Sequence, residues 1–215
     1  MEHVENEYKE LSLKYTLAMR KLECEIKNLI DAYTNNKKSS LVDHSKSRIK
    51  EFDSAFEKLE RKGFEKTPEN LEEYITDMVG YRIVCPFISD VYTIVNIIKS
   101  SKLFEIRDED DYIQKPKESG YQSYHLDVSV PIELKQEMIY VPCEIQIRTM
   151  AMDLWATLDH KLRYKLSEDI ETQLMPEFRA RALELRRFDN RMQMLTDEVS
   201  ELKEEEEQPK QFIKR

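Results

Sequence analysis

Two acidic residues far apart in the chain, Asp77 and Glu144, could meet at one point. Asp77 lies just before an apolar run of strand length (Tyr81–Phe87), and Glu144 sits in the middle of another (Ile139–Arg148). A carboxylate from a strand end and one from mid-sheet suit Mg2+, which binds one or two carboxylates and fills its other positions with phosphate oxygens and water. Arg82 lies on the first of these runs. The complementary charge comes earlier: residues 34–62 carry eight Lys/Arg and five Asp/Glu. Within that segment a helix is expected over Asp43–Lys62. It would turn Ile49, Phe52, Phe56 and Leu59 inward, carry Arg48 on or near it, and keep Lys50, Lys58 and Arg61 on one side. Arginine pairs bidentately with phosphate, and its flat guanidinium can stack on a base. A solvated basic face is the plainer reading.

Strand alternation sorts the middle of the chain into two faces. In Tyr121–Val130, Tyr124, Leu126, Val128 and Val130 form an apolar set, whereas Tyr121, Ser123, His125 and Asp127 point the other way. In Ile139–Arg148, Ile139, Val141, Cys143, Ile145 and Ile147 oppose Tyr140, Pro142, Glu144, Gln146 and Arg148. If the two strands pair, their polar sets make one surface. For two arbitrary strands, that surface would be the wet side of a half-exposed sheet.

These side chains need elements to hold them. Residues 4–33 read as one long helix with a narrow stripe (Val4, Tyr8, Leu11, Tyr15, Ala18, Leu22, Ile26, Leu29, Tyr33) suited to another helix or a partner subunit. Thr34–Leu41 reads as a polar loop, and Thr67-Pro68-Glu69 starts a helix. A helix is expected from Ser89 to Ser101, a strand over Leu103–Arg107 and a loop over 131–138. Thr149 should cap a helix to about Lys165, with Leu154, Leu158 and Leu162 buried, Trp155 in the core, and Asp153, Thr157, His160 and Tyr164 on another stripe. Beyond Ser167 the chain reads as helical, interrupted near Pro176, with a disordered acidic tail over 204–215.

Composition limits the alternatives. Only 3 of 215 residues are Gly, which argues against a glycine-loop nucleotide fold and favours helix. The net charge of −9 makes nucleic acid and anionic membrane poor partners. Cys24, Cys85 and Cys143 are odd in number and widely spaced, giving neither a disulfide framework nor a zinc ribbon. No apolar run approaches a membrane span and the N-terminus is acidic, so a reduced cytoplasmic location is expected. No His precedes an Asp, which removes the metal-dependent phosphohydrolase pattern, and four scattered His do not suggest zinc.

Taken together, Asp77-Met-Val-Gly-Tyr-Arg82, Lys115-Pro-Lys-Glu-Ser-Gly-Tyr-Gln-Ser-Tyr-His125, Glu144-Ile-Gln-Ile-Arg-Thr149 and Ala151-Met-Asp-Leu-Trp-Ala156 resemble the RelA/SpoT-type synthetase domain, above all the small alarmone synthetases. The resemblance implies an α+β fold: a nucleotidyltransferase-like mixed β-sheet flanked by helices, with long N- and C-terminal helices. It implies transfer of pyrophosphate from ATP to the 3′-hydroxyl of GDP or GTP, giving ppGpp or pppGpp and AMP. By position, Asp77 and Glu144 would hold Mg2+, and Glu144 would also activate the hydroxyl. Arg48 and Arg82 would sandwich the adenine, and Lys50, Lys58 and Arg61 would meet ATP phosphates. Tyr121 would stack on guanine, Lys117 and His125 would bind the acceptor's phosphates or ribose, and Gln146 and Asp153 would join that acceptor site.

Departures from the family pattern are Gln122, where many short members have Arg, Asp153, where one short subgroup has Asn, and Asp159 for the usual Glu. Asp108–Asp111 resembles the acidic form of the acceptor-selecting loop, which would favour GDP; solvated loop acids are the other reading. The expected layout is an oligomerising helix over 1–40, a catalytic domain over 41–166, oligomerising helices over 167–203 and the tail. Neither a hydrolase domain nor C-terminal regulatory domains are expected, and a homo-oligomer, a tetramer by resemblance, is. Two other readings remain: a different nucleotidyltransferase on the same fold, and a non-catalytic nucleotide-binding regulator.

Overall fold

The computed structural model describes residues 2–35, 40–163, 166 and 168–207. The elements run α1 (Glu2–Thr34), β1 (His44–Ile49), α2 (Phe52–Arg61), α3 (Pro68–Tyr74), β2 (Val79–Cys85), α4 (Ile88–Ser100), β3 (Glu105–Asp111), β4 (Tyr124–Leu134), β5 (Glu137–Thr149), α5 (Met150–Arg163) and α6 (Glu168–Glu207). The strands form one mixed sheet in the order β1-β2-β5-β4-β3. Only β2 and β5 run parallel; the other three pairings are antiparallel. The α+β class read from the sequence is the class observed.

One face of the sheet is covered. From α1, Leu11, Tyr15, Ala18, Leu22, Ile26 and Ile30 recur at helical spacing and are buried. They pack over β1, β2, β4 and β5. Val91, Ile94, Val95 and Ile98 of α4 complete the cover. Beneath lie the apolar sets of β4 and β5, all buried from Leu126 to Val130 and from Val141 to Ile147 at alternate positions. From Leu11 to Leu29 the α1 stripe expected for another helix or a partner subunit packs on the chain's own core, whereas Tyr33 at its end is exposed. The expected caps are present: the Thr67 hydroxyl accepts from the Asn70 amide at 3.2 Å, and the Thr149 hydroxyl accepts from the Met152 amide at 3.2 Å.

Several elements differ from the sequence reading. The single helix expected over Asp43–Lys62 is a strand followed by a helix. Between 44 and 49 the chain alternates, with His44, Lys46 and Arg48 exposed and Ser45, Ser47 and Ile49 partly covered. Ser47 donates to Glu23 of α1 at 2.8 Å, and Ser45 accepts from the Tyr81 hydroxyl at 2.9 Å. The helical period begins only at Phe52.

The loop expected over 131–138 is a continued hairpin, turning at Lys135 (φ 53°) and Gln136 (φ 69°). Pro131 and the lack of an Asn-Gly pair hid it. The acidic stretch Asp108–Asp111 belongs to edge strand β3, not to a loop, and Tyr121 and Ser123 precede β4 rather than opening it.

Leu154, Leu158 and Leu162 are about half exposed, at 51%, 49% and 54%; Ala151, Met152 and Trp155 are the buried residues of α5. Leu158 and Leu162 instead line a cavity of about 310 Å³ between α5 and α6, with Leu174, Phe178 and Leu185 opposite. Pro176 does not break α6. It is exposed, so water can replace the hydrogen bond its ring removes. Residues 204–207, expected in the tail, belong to α6; residues 36–39, Tyr164, Lys165, Ser167 and 208–215 lie outside the described residues.

Because Leu22 is fully buried between α1 and the sheet, Leu22→Ala should cost about 2–5 kcal/mol of unfolding free energy. Urea denaturation at fixed protein concentration measures this. An unchanged midpoint would mean that α1 is not part of the core.

Candidate active site

The opposite face of the sheet is built in rungs. Paired residues on neighbouring strands share a face, so the register aligns side chains straight across the sheet. One rung runs Arg48, Gly80, Glu144, Asp127, Asp108, and the next runs Lys46, Arg82, Gln146, His125, Asp110. The first goes from Arg48 on β1 to acids on β5, β4 and β3; the second goes from Lys46 and Arg82 on β1 and β2 to Asp110 on β3. Gly80 leaves the first rung open between Arg48 and Glu144. A cleft of about 110 Å³ lies there, lined by Lys46, Arg48, Gly80, Tyr81, Arg82 and Gln146.

Asp77 stands three residues before Gly80, at the entry to β2. The Lys50 amide donates to the Met78 carbonyl at 2.8 Å, which carries the backbone after β1 past this point. The Lys50 ammonium then reaches Asp77 Oδ2 at 2.7 Å, and Lys58 of α2 reaches Oδ1 at 3.0 Å. Burial raises the proton affinity of Asp77, but the hydrogen bonds and charges of the two lysines outweigh it and hold the carboxyl below its ordinary value. Arg61 lies in the same last turn as Lys58, exposed, with no contact to Asp77.

Glu144 is held from the other side. His125 Nδ1 lies 3.0 Å from Glu144 Oε1, and the Gln146 amide donates to Oε2. Burial again raises the proton affinity; His125 and Gln146 overcome it, so the pKa is lowered although the nearby charge of Asp77 opposes that. The two acids sense one another, as the pairing of β2 with β5 requires. Asp127, beside Glu144, is the contrast. Burial and the charges of Glu144, Asp108 and Asp77 raise its pKa, against a smaller effect of His125.

A hydrogen-bonded chain runs on from Glu144. His125 Nε2 lies 2.8 Å from the Tyr121 hydroxyl, which also accepts from Arg148 Nη2 at 2.8 Å. With that hydroxyl donating to Nε2, the imidazole proton sits on Nδ1 and points at Glu144. The Tyr121 ring is half-buried, and the Lys117 ammonium lies 5.4 Å from its centroid and 4.3 Å from that of Tyr112. Asp153, from the first turn of α5, receives Arg82 at 3.1 Å and Arg148 at 3.2 Å. The Nε groups of Arg82 and Arg148 are buried without a hydrogen-bond partner.

The structure thus gathers Arg48, Lys50, Lys58, Asp77, Arg82, Lys117, Tyr121, His125, Glu144, Gln146 and Asp153 around one sheet face, with Arg61 at its margin. Sequence reasoning gave no role to Arg148, Tyr112 or Asp127. Alternation had put Arg148 and Asp127 on the right face; nothing marked Tyr112. Among the described residues no three His, Cys, Asp or Glu side chains could hold a metal together. A second cavity, about 370 Å³ beside α1, α3 and the β4–β5 turn, contains none of these residues, and its Lys14 and Lys135 pair with Glu72 and Glu10.

Residues 47–169 match the region found in RelA / SpoT proteins. The chain belongs to the RelA/SpoT family. It is 40% identical over 196 residues to the GTP pyrophosphokinase YwaC of Bacillus subtilis, covering 91% of this chain and 93% of that protein. It is 32% identical to the GTP pyrophosphokinase YjbM of the same organism, covering 92% of each. Its fold superposes on small alarmone synthetase 1 of Bacillus subtilis bound to its product pppGpp, with a TM-score of 0.81, 31% identity, and 91% and 99% of the two chains covered. The RelA/SpoT match begins at Ser47, at the strand that brings Arg48 to the site, and ends just past the start of α6.

Asp127 gives a test of this electrostatic arrangement. A carboxyl whose folded pKa is raised destabilises the fold when ionised. That penalty is complete above the folded value and gone below the unfolded value of about 3.9. Asp127→Asn should raise Tm at pH 7 by about 1–3 °C. The gain should shrink as pH falls toward 4. A gain independent of pH in thermal melts would contradict the charge argument.

Proposed function

We propose that this chain is an alarmone synthetase, transferring the β,γ-pyrophosphate of ATP to the ribose 3′-hydroxyl of GDP or GTP and releasing AMP. The observation that carries the reading is the line Tyr121–His125–Glu144 running up to Asp77, with guanidinium and ammonium groups on one flank and an aromatic ring on the other. Arg48 and Arg82 flank the cleft for adenine. Lys50 and Lys58 are the ATP phosphate-binding groups, with Arg61 at the outer end. Tyr121 stacks on guanine, Lys117 and His125 meet the acceptor's phosphates or ribose, and Gln146 and Asp153 offer hydrogen-bonding groups to the acceptor.

The acceptor oxygen attacks the β-phosphorus, its proton passes to Glu144, and the bond from that phosphorus to the α,β-bridging oxygen breaks to leave AMP. Glu144 must be ionised at the start, and its lowered pKa keeps it so at neutral pH. His125, hydrogen-bonded to Glu144 and Tyr121, fixes the orientation of that carboxylate relative to the stacked base. Asp77 and Glu144 present the hard oxygen donors that suit Mg2+, which would supply charge neutralisation for the transferred phosphates. Positioning and charge account for most of such a transfer.

The same proposal includes a homo-oligomer, a tetramer by family likeness, assembled through α6. Leu183, Phe188, Leu195, Val199 and Leu202 of α6 are about half exposed on one chain, and one subunit alone leaves the α5–α6 cavity uncovered. A reduced cytoplasmic setting fits three unpaired cysteines, and among the described residues no helix is long and apolar enough to cross a membrane.

Purified protein with Mg2+, ATP and either guanine nucleotide should yield AMP and ppGpp or pppGpp by anion-exchange chromatography. Free pyrophosphate instead of AMP would indicate nucleotidyl transfer, and no turnover would indicate a regulator. Glu144→Gln should lower kcat by about 10²–10⁴-fold. Full turnover in that variant would remove Glu144 from the role of base.

A further inference from the structure

The donor and acceptor halves of this site are supported differently. Arg48, Lys50, Asp77, Arg82 and Glu144 stand on or beside strands β1, β2 and β5, whose other face is the core. Lys117 and Tyr121 lie on the connection between β3 and β4. That connection is a closed turn: the Lys117 amide donates to the Tyr121 carbonyl at 3.1 Å, and the Gly120 amide donates to the Lys117 carbonyl at 2.8 Å. Lys117 and Tyr121 are thus tied together, and whatever moves Glu118 moves both.

The outer side of this turn rests on α6. Arg179 donates through Nε to the backbone carbonyl of Glu118 and through Nη2 to the Glu118 carboxylate. The carboxylate pair is exposed and contributes little by itself. The bond to the main chain is different, because it fixes the backbone of the turn rather than a side chain. Next to it, Gly120 (φ 88°) lies against Ala182; a Cβ on Gly120 would come within 2.4 Å of the Ala182 Cβ. The contact therefore requires a small residue on both sides.

We propose that α6 sets acceptor-nucleotide affinity through Arg179 and Ala182, with Arg179 a positioning residue that holds the turn carrying Lys117 and Tyr121. The proposal rests on the assignment of those two residues to the acceptor. Arg179 touches neither nucleotide; it acts by keeping the Tyr121 ring and the Lys117 ammonium in register with His125 and Glu144. ATP binding, assigned to Arg48, Lys50, Lys58, Arg61 and Arg82, none of which lies on the turn or on α6, is independent of it.

Steady-state kinetics of the full chain, with ATP and GDP varied separately, tests this. Arg179→Ala should raise the KM for GDP about three- to tenfold, the scale of the net contribution of one ordinary, solvent-exposed hydrogen bond, and leave the KM for ATP unchanged within about twofold. Arg179→Lys, which can still reach the Glu118 carbonyl, should recover most of the loss. Ala182→Val removes no hydrogen bond but crowds Gly120, and should raise the GDP KM as well. Thermal melts accompany each variant, and if Ala182→Val does not fold, the Arg179 pair decides alone. An unchanged GDP KM in Arg179→Ala, or both KM values rising together, overturns the proposal. A wild-type chain that makes no alarmone fails at the earlier step, and that result overturns the functional reading and this one with it.

Discussion

The pairing of β2 with β5 is the constraint from which the site follows. It is the one parallel ladder in the sheet, and it sets Gly80 beside Glu144, with Asp77 at the same end of β2. Parallel strands need a long crossover, and here α4, β3 and β4 all lie between them in sequence. Two acids 67 positions apart are thus brought together by the core, not by local structure. The core also fixes which way they point. Cys143 and Ile145, on either side of Glu144, are buried, and a slip of one residue would exchange Glu144 for an apolar neighbour. The free energy that fixes the carboxylate on the site face is the burial of the alternate residues.

Bringing acids together in a partly desolvated place is unfavourable unless each has a partner. The structure resolves this unevenly. Asp77 takes two lysines and Glu144 takes His125 and Gln146, so both stay ionised despite burial and mutual repulsion. Asp127, next in the same rung, has only the charge of His125 to offset burial and its acidic neighbours and is pushed toward its protonated form. The two acids assigned to chemistry are the ones with cationic or hydrogen-bonding support. Across the two rungs the charge passes from Lys46, Arg48 and Arg82 on β1 and β2 to Asp108, Asp110 and Asp127 on β3 and β4, with Glu144 between them.

What could be read from sequence was what period-two alternation encodes. The faces of β4 and β5 are simple repeats with buried residues at every second position, so Glu144, Gln146, Arg148, His125 and Asp127 could be placed together before any coordinates. The strand at 44–49 was missed because Ser45 and Ser47 carry its inward face, held by hydrogen bonds to Tyr81 and Glu23 that a hydrophobic pattern does not register. The hairpin at 135–136 was missed because two non-glycine residues adopt positive φ there. Spacing alone assigns the leucines of α5 to the core; Leu158 and Leu162 instead look into a gap beside α6, and Leu154 is about half exposed. Alternation places Arg148 on the site face but gives it no role, because its partners Tyr121 and Asp153 come from separate segments.

These two kinds of support divide the site mechanically. Arg48, Lys50, Asp77, Arg82 and Glu144 stand on or beside sheet strands and could not shift without disturbing residues that are fully buried. Lys117 and Tyr121 sit instead on a turn, which meets α6 through the exposed Arg179–Glu118 pair and the close approach of Gly120 to Ala182. Such contacts cost little to rearrange. Substitutions at the turn or on α6 can therefore shift Lys117 and Tyr121 while Asp77 and Glu144 stay in place. In this chain, Gln122 sits within that changeable region: it is buried under the turn, donating to the Ile113 carbonyl at 3.2 Å. Its role here is to brace the β3–β4 connection from below, while Arg179 holds it from above.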